Sequence, residues 1–123
     1  MLLDSNILIY LAQPGGEKLL DKLALSEPAA SLISWIETFG FHRITSQEDA
    51  RLKMLFAWVE VLPVSEAVAG AAVILRKEKP MKLGDAIIAA TALEYALPLV
   101  TRNEADFKHV TGLQIVNPFA NVP

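Results

Sequence analysis

Apolar runs of four to six residues alternate with helix-patterned stretches along this chain, and that alternation leaves few folds open. Residues 1–4 read as a buried strand, since Met1-Leu2-Leu3 is apolar throughout. A helix over 5–12 is stopped by the breaker cluster Gln13-Pro14-Gly15-Gly16. Leu19, Leu20 and Leu23 mark a helix over 17–25, and Pro28 bounds a strand over 29–33, after which Ser34 opens the next helix. Ser46 with Asp49 resembles a capping box for the helix carrying Leu52, Leu55, Phe56 and Val59. A strand over 59–64, a helix from Ser65 to before Pro80, and a helix over 84–95 follow. A strand over 97–100, a short helix near 104–108 and a strand over 113–116 complete the order. Strands alternating with helices pair in parallel through right-handed crossovers. The expected fold class is therefore α/β, three layers deep, with about five short, mainly parallel strands between helices in a single domain spanning 1–123.

Such open sheets form their sites beyond the carboxyl ends of the strands. Four acids stand there at four separate helix starts: Asp4, Glu37, Asp85 and Asp106. Each has a purely structural reading. Asp4 would cap helix 5–12, and Asp85 would favour a helix N-terminus through the macrodipole. Ser34 with Glu37, and Asn103 with Asp106, have capping-box spacing. Four independent caps need not fall on one edge of one sheet, however, and clustered carboxylates repel one another unless a cation holds them.

Oxygen-only ligands suit Mg²⁺ or Mn²⁺, hard cations that also bind phosphate oxygens. Such ions activate water and stabilise charge developing on a phosphodiester. The expected chemistry is metal-assisted phosphodiester hydrolysis. Asp4, Asp85 and Asp106 are the expected ligands, Glu37 a ligand or water-orienting base, and Thr101 a strand-end hydroxyl beside them. No glycine-rich phosphate loop, Ser-His-acid order or Cys-His pair is visible. His42 and His109 stand alone, without zinc-ligand spacing. Trp35, Phe39, Phe56 and Trp58 read as core or interface residues.

The formal charge of −3 does not mark a nucleic-acid binder, yet removing the four acids leaves +1. Basic residues gather beside them: Arg76 and Lys82 before Asp85, and Arg102 before Asp106. These three are the candidate phosphate contacts. The chain has no cysteine, which excludes disulfides and thiolate metal sites and fits a cytoplasmic location. No apolar run approaches the roughly 18 residues of a membrane span, and no secretion signal opens the sequence. The 53% hydrophobic share is high for a soluble chain, so either the core is well filled or an apolar face awaits a partner.

Asp4-Ser5-Asn6-Ile7-Leu8-Ile9-Tyr10, Glu37 followed by Gly40, Leu83-Gly84-Asp85-Ala86-Ile87-Ile88-Ala89-Ala90, and Thr101-Arg102-Asn103-Glu104-Ala105-Asp106-Phe107 resemble, in order, the successive motifs of the PIN domain. The brevity of the chain resembles the VapC group of toxin–antitoxin ribonucleases. The resemblance implies a PIN-like fold and a Mg²⁺- or Mn²⁺-dependent endoribonuclease acting on RNA. It further implies a homodimer silenced by a small antitoxin. Its site would hold Asp4, Glu37, Asp85 and Asp106, with Asn6, Thr101 and Asn103 as supporting polar residues. The helices between 34 and 58 would offer the apolar faces. Ser5 stands where threonine is common, and Gly84 where a polar or acidic residue often stands.

A PIN nuclease outside any toxin pair fits the same residues. A receiver-like Mg²⁺-binding signalling module needs an acid pair after the first strand, an acid after the third and a lysine after the last. Position 5 is serine, Val64 leads into Ser65, and the last strand runs into Asn117-Pro118. A haloacid-dehalogenase-like phosphatase needs Asp-x-Asp where this chain has Asp4-Ser5-Asn6.

Overall fold

A computed structural model of the chain describes residues 1–120. Its centre is a five-stranded sheet in the order β3-β2-β1-β4-β5, with every neighbouring pair parallel. The strands are β1 (Leu2–Leu3), β2 (Ala29–Ser31), β3 (Glu60–Leu62), β4 (Leu99–Val100) and β5 (Ile115–Val116). Between them run α1 (Ser5–Leu11), α2 (Glu17–Ala24), α3 (Leu32–Phe39), α4 (Ser46–Phe56), α5 (Glu66–Glu78), α6 (Leu83–Glu94) and α7 (Glu104–Phe107).

Strand alternation explains the three layers, because successive side chains leave opposite faces. Leu2, Ala29 and Leu99 enter a core with Val68, Ala72, Ile88, Ala89 and Phe107 from α5, α6 and α7. Their neighbours Leu3, Ala30 and Val100 enter a second core with Ile7, Leu8, Leu19, Leu52 and Leu55 from α1, α2 and α4. Both faces are thus covered, as all-parallel sheets require. The chain steps from β1 outward to β3, then returns to the other side of β1 for β4 and β5. The topological switch point therefore lies between β1 and β4, where a crevice opens at the strand ends.

Three helix starts differ from the sequence expectation, the first two because a nearby hydroxyl wins the cap. The α3 helix begins at Leu32, not Ser34, since the Ser31 hydroxyl accepts from the Ile33 amide. Thr45 and Glu48, not Ser46 and Asp49, form the capping box of α4. Asp49 instead pairs with Lys53 one turn on, at 2.8 Å. The expected helix over 84–95 begins at Leu83, so Asp85 lies within its first turn. The strands are also shorter than expected, with Asp4 and Thr101 left just beyond their ends. Among the described residues no helix is long and apolar enough to cross a membrane.

Candidate active site

Asp4 leaves the sheet at the end of β1 and is almost fully buried. Its Oδ1 accepts from the Ser5 amide at 2.7 Å, which makes it the N-cap of α1. Its Oδ2 accepts from the Thr101 hydroxyl at 2.7 Å, and that hydroxyl in turn accepts from the Asn103 amide at 3.0 Å. The Asp4 amide donates to Val100 O, and the Thr101 amide to Val116 O, so the ends of β1, β4 and β5 are stitched side by side. Burial raises the Asp4 carboxyl above its ordinary range, against the Thr101 and Ser5 hydrogen bonds that lower it; Glu37 and Asp106 raise it further.

Glu37 comes from α3 and is exposed, but it is not free. The Ser5 hydroxyl donates to its Oε1 at 2.8 Å and lies 3.0 Å from the Ser34 hydroxyl. On its other side stands Gly84 of α6. A Cβ at that position would meet Glu37 Oε2 at 2.7 Å, closer than real Cβ atoms approach. The absent side chain of Gly84 is the room that the Glu37 carboxylate occupies.

Asp85, one residue on, is half-buried, and its carboxyl is pushed up to about 6. Desolvation is the largest cause, followed by repulsion from Asp4 and Asp106, with Glu37 adding less; Lys82 acts the other way. Asp106 is exposed in α7 and contributes to the repulsion felt by both buried-side acids. The charges of Glu37 and Asp106 thus bear on both Asp4 and Asp85 at one end of the sheet. The four acids form a loose ring. Among the described residues no three acids or histidines converge closely enough to enclose an ion as they stand.

A side-chain cap survives for Asp4 alone, while Asp85 keeps a favourable place in the first turn of α6. Asn103 caps α7 without a side-chain hydrogen bond, α6 has no side-chain cap, and Ser34 lies inside α3. Glu37, Asp85 and Asp106 thus make no capping hydrogen bond, although Asp85 and Asp106 lie in the first turns of α6 and α7.

The supporting residues divide. Thr101 and Asn103 join Asp4 through the hydrogen bonds above. Asn6 Oδ1, two residues past Asp4, is buried with no hydrogen-bond partner among the described residues. Lys82 lies close enough for its charge to act on Asp85. Arg76 ties the loop after α5, its Nε donating to Met81 O at 3.3 Å. Arg102 stacks on aromatic rings. His42 lies against Phe41, and neither histidine joins the acids. Sequence reasoning missed the Ser5–Ser34–Glu37 cluster and the Glu37–Gly84 packing. Small residues flanking each acid were the available signal.

The donor chemistry fits a hard divalent cation: four carboxylates, a threonine hydroxyl and an unpartnered amide oxygen at one sheet edge. A cation would also relieve the repulsion that raises Asp85.

Comparison with known proteins gives the same outline. The family model described as PIN domain matches residues 1–113. A chain of a toxin–antitoxin complex from Klebsiella pneumoniae is 36% identical, with 96% of this chain and 97% of that one covered, at a TM-score of 0.75. A chain of VapBC2 from Rickettsia felis, bound to a DNA fragment from its promoter, is 25% identical over 94% and 96%, at 0.82. A chain of FitAcB from Neisseria gonorrhoeae is 25% identical over 97% and 98%, at 0.79. No curated protein shows significant similarity.

Proposed function

The chain belongs to the PIN-domain family, and from that premise we propose that it is a divalent-metal-dependent endoribonuclease. In this reading it is the toxin of a toxin–antitoxin pair acting on cytoplasmic RNA. The observation that carries the nuclease reading is geometric: at the β1–β4 switch point Asp4 is bonded to Thr101, and Glu37 is bonded to Ser5 and seated against Gly84, the residue before Asp85. The toxin reading is supported by the similarity to chains of toxin–antitoxin complexes.

Asp4, Asp85 and Asp106 would hold Mg²⁺ or Mn²⁺, with Glu37 as a further ligand or as the group that orients water. Such a cation would supply charge neutralisation for a phosphodiester and a Lewis acid for its hydrolysis. The protein's own part is orientation. Thr101 and the Ser5 amide fix both Asp4 oxygens, leaving each with lone pairs directed elsewhere. Ser5 holds Glu37 at the solvent side, where it would accept a proton from an attacking water. Lys82 and Arg102 would contact RNA phosphate, with Asn6 and Asn103 as polar support.

The antitoxin partner is supported by a groove lined by Ile9, Ala12, Thr38, Phe41, Ile44 and Leu52. Ile9 and Phe41 are exposed there, as are Trp35 and Ile36 along α3. A homodimer would cover further apolar surface such as Val73 and Ile74 of α5. Induced expression of wild type and Asp85→Asn, followed by mapping of cellular RNA ends, tests the proposal. New ends are expected with wild type alone, and chelator is expected to stop cleavage in vitro. New ends with Asp85→Asn at wild-type frequency would overturn it.

A further inference from the structure

Beyond β5 the chain folds back as a hook. Asn117 Oδ1 accepts from the Phe119 amide at 2.9 Å, and the Ala120 amide donates to Asn117 O. Asn117 Nδ2 donates to Glu104 Oε2 at 3.1 Å, which ties the hook to the first turn of α7. The turn sets the Phe119 ring edge-on against Tyr10 of α1, with centroids 4.9 Å apart. The Arg102 guanidinium lies 4.2 Å from the Phe119 ring centroid and 5.7 Å from that of Tyr10. Arg102 sits between Thr101, bonded to Asp4, and Asn103, whose amide bonds Thr101.

Stacking uses the flat face of a guanidinium and leaves its N–H edges unspent. Among the described residues those edges pair with no carboxylate, and Glu104, two positions on, is engaged by Asn117. A planar cation with open edges matches a phosphodiester, which it grips with two parallel hydrogen bonds. An acidic crevice repels an RNA backbone, so a fixed cation at its rim offsets the approach.

We propose that the hook Asn117–Ala120 is a positioning element that presents the Arg102 guanidinium, held over the Phe119 ring, to a phosphodiester of RNA entering the acidic crevice. The inference rests on the nuclease reading for its substrate class. Phe119 is the positioning residue and Arg102 the phosphate contact.

The test compares wild type, Arg102→Gln, Arg102→Lys, Phe119→Ala and Phe119→Tyr. It uses a fluorescent single-stranded RNA oligonucleotide, read by anisotropy across a salt series and by steady-state cleavage. Arg102→Gln is expected to weaken binding about tenfold and to lower the salt slope by about one. Phe119→Ala is expected to raise KM about threefold, as befits one exposed cation–π contact, with kcat within about twofold. Phe119→Tyr restores wild-type KM, and Arg102→Lys falls between wild type and Arg102→Gln. Wild-type binding by both Arg102→Gln and Phe119→Ala overturns the inference and leaves the nuclease reading standing. A loss confined to kcat overturns it too. Wild type that binds RNA through Arg102 without cutting it upholds the inference while the nuclease reading falls. Absence of any RNA binding by wild type sinks both.

Discussion

The two halves of the acid ring are built differently. At the strand ends, Asp4 and Thr101 are buried, bonded to each other, and fixed by backbone bonds to Val100 and Val116. On the helices, Glu37 and Asp106 are exposed, and Asp85 is half-buried. The strand half is the rigid one, since both Asp4 carboxylate oxygens and the Thr101 hydroxyl have partners. The helix half is adjustable because a Ser5 hydroxyl and a vacant Cβ position are what hold Glu37 in place. One half sets where a charge must sit, and the other can close upon it.

The largest effect should come from breaking the rigid half at its acid. Asp4→Asn is expected to cost well over a hundredfold in kcat/KM, beyond the roughly 10–100-fold typical of outer partners of a metal site. Isothermal titration with Mg²⁺ or Mn²⁺ should show binding in wild type and none in this variant. Cleavage within tenfold of wild type would remove Asp4 from the site.

Next comes Thr101→Val, which keeps the shape and deletes the hydroxyl. It leaves Asp4 Oδ2 and the Asn103 amide without their partner. A rate loss of about 10–100-fold is expected, with a stability loss of about 1–3 kcal/mol measured by denaturant unfolding. Loss of stability alone would make Thr101 merely structural.

In the adjustable half, Gly84→Ala should dissociate rate from stability. The added methyl displaces the Glu37 carboxylate from Ser5, lowering kcat about tenfold by analogy with outer-partner losses. Alanine meanwhile favours a helix by up to about 1 kcal/mol over glycine, so Tm should hold or rise. Unchanged kcat would mean that Glu37 needs no fixed position.

The smallest effect is a pH dependence. The folded Asp85 carboxyl stands at about 6 against an ordinary 3.8, so the fold favours its protonated form. Its contribution to stability is fully present below about pH 4 and is lost as pH rises through about 6. After allowance for its exposure, this amounts to about 1–2 kcal/mol. In metal-free protein, Asp85→Asn should therefore gain roughly 3–6 °C in Tm relative to wild type between pH 4 and pH 7. Saturating Mg²⁺ should shrink that gap. A gap independent of pH would show that the acids do not crowd Asp85.

The parallel sheet and the places of Asp4, Asp85 and Asp106 were legible because strand and helix periods alternate cleanly; Glu37, expected in the first turn of its helix, instead lies near the end of α3, since that helix already starts at Leu32. Cap positions were less so. Ser31 and Ser34, or Thr45 and Ser46, are equal candidates locally, and packing chose Ser31 and Thr45. A serine three before Glu37 reads as a cap, whereas in the fold it lies beside Ser5, from 29 positions away. The Arg102–Phe119–Tyr10 stack was illegible for the same reason, since nothing near Arg102 announces an aromatic partner supplied by the far end of the chain. The glycine at 84 was visible as a missing side chain, but what fills its space is a matter of tertiary contact.

The hydrogen bond from Thr101 to Asp4 spans 97 positions, and β1 sits between β2 and β4 in the sheet. During synthesis, then, Asp4 emerges 97 positions ahead of Thr101 and cannot be seated until β4 has left the ribosome. At about 5–20 residues per second, the crevice stays unassembled for roughly 5–20 seconds while those residues are made. Under the nuclease reading, a nascent chain would lack its acid site until β4 has emerged to seat Asp4.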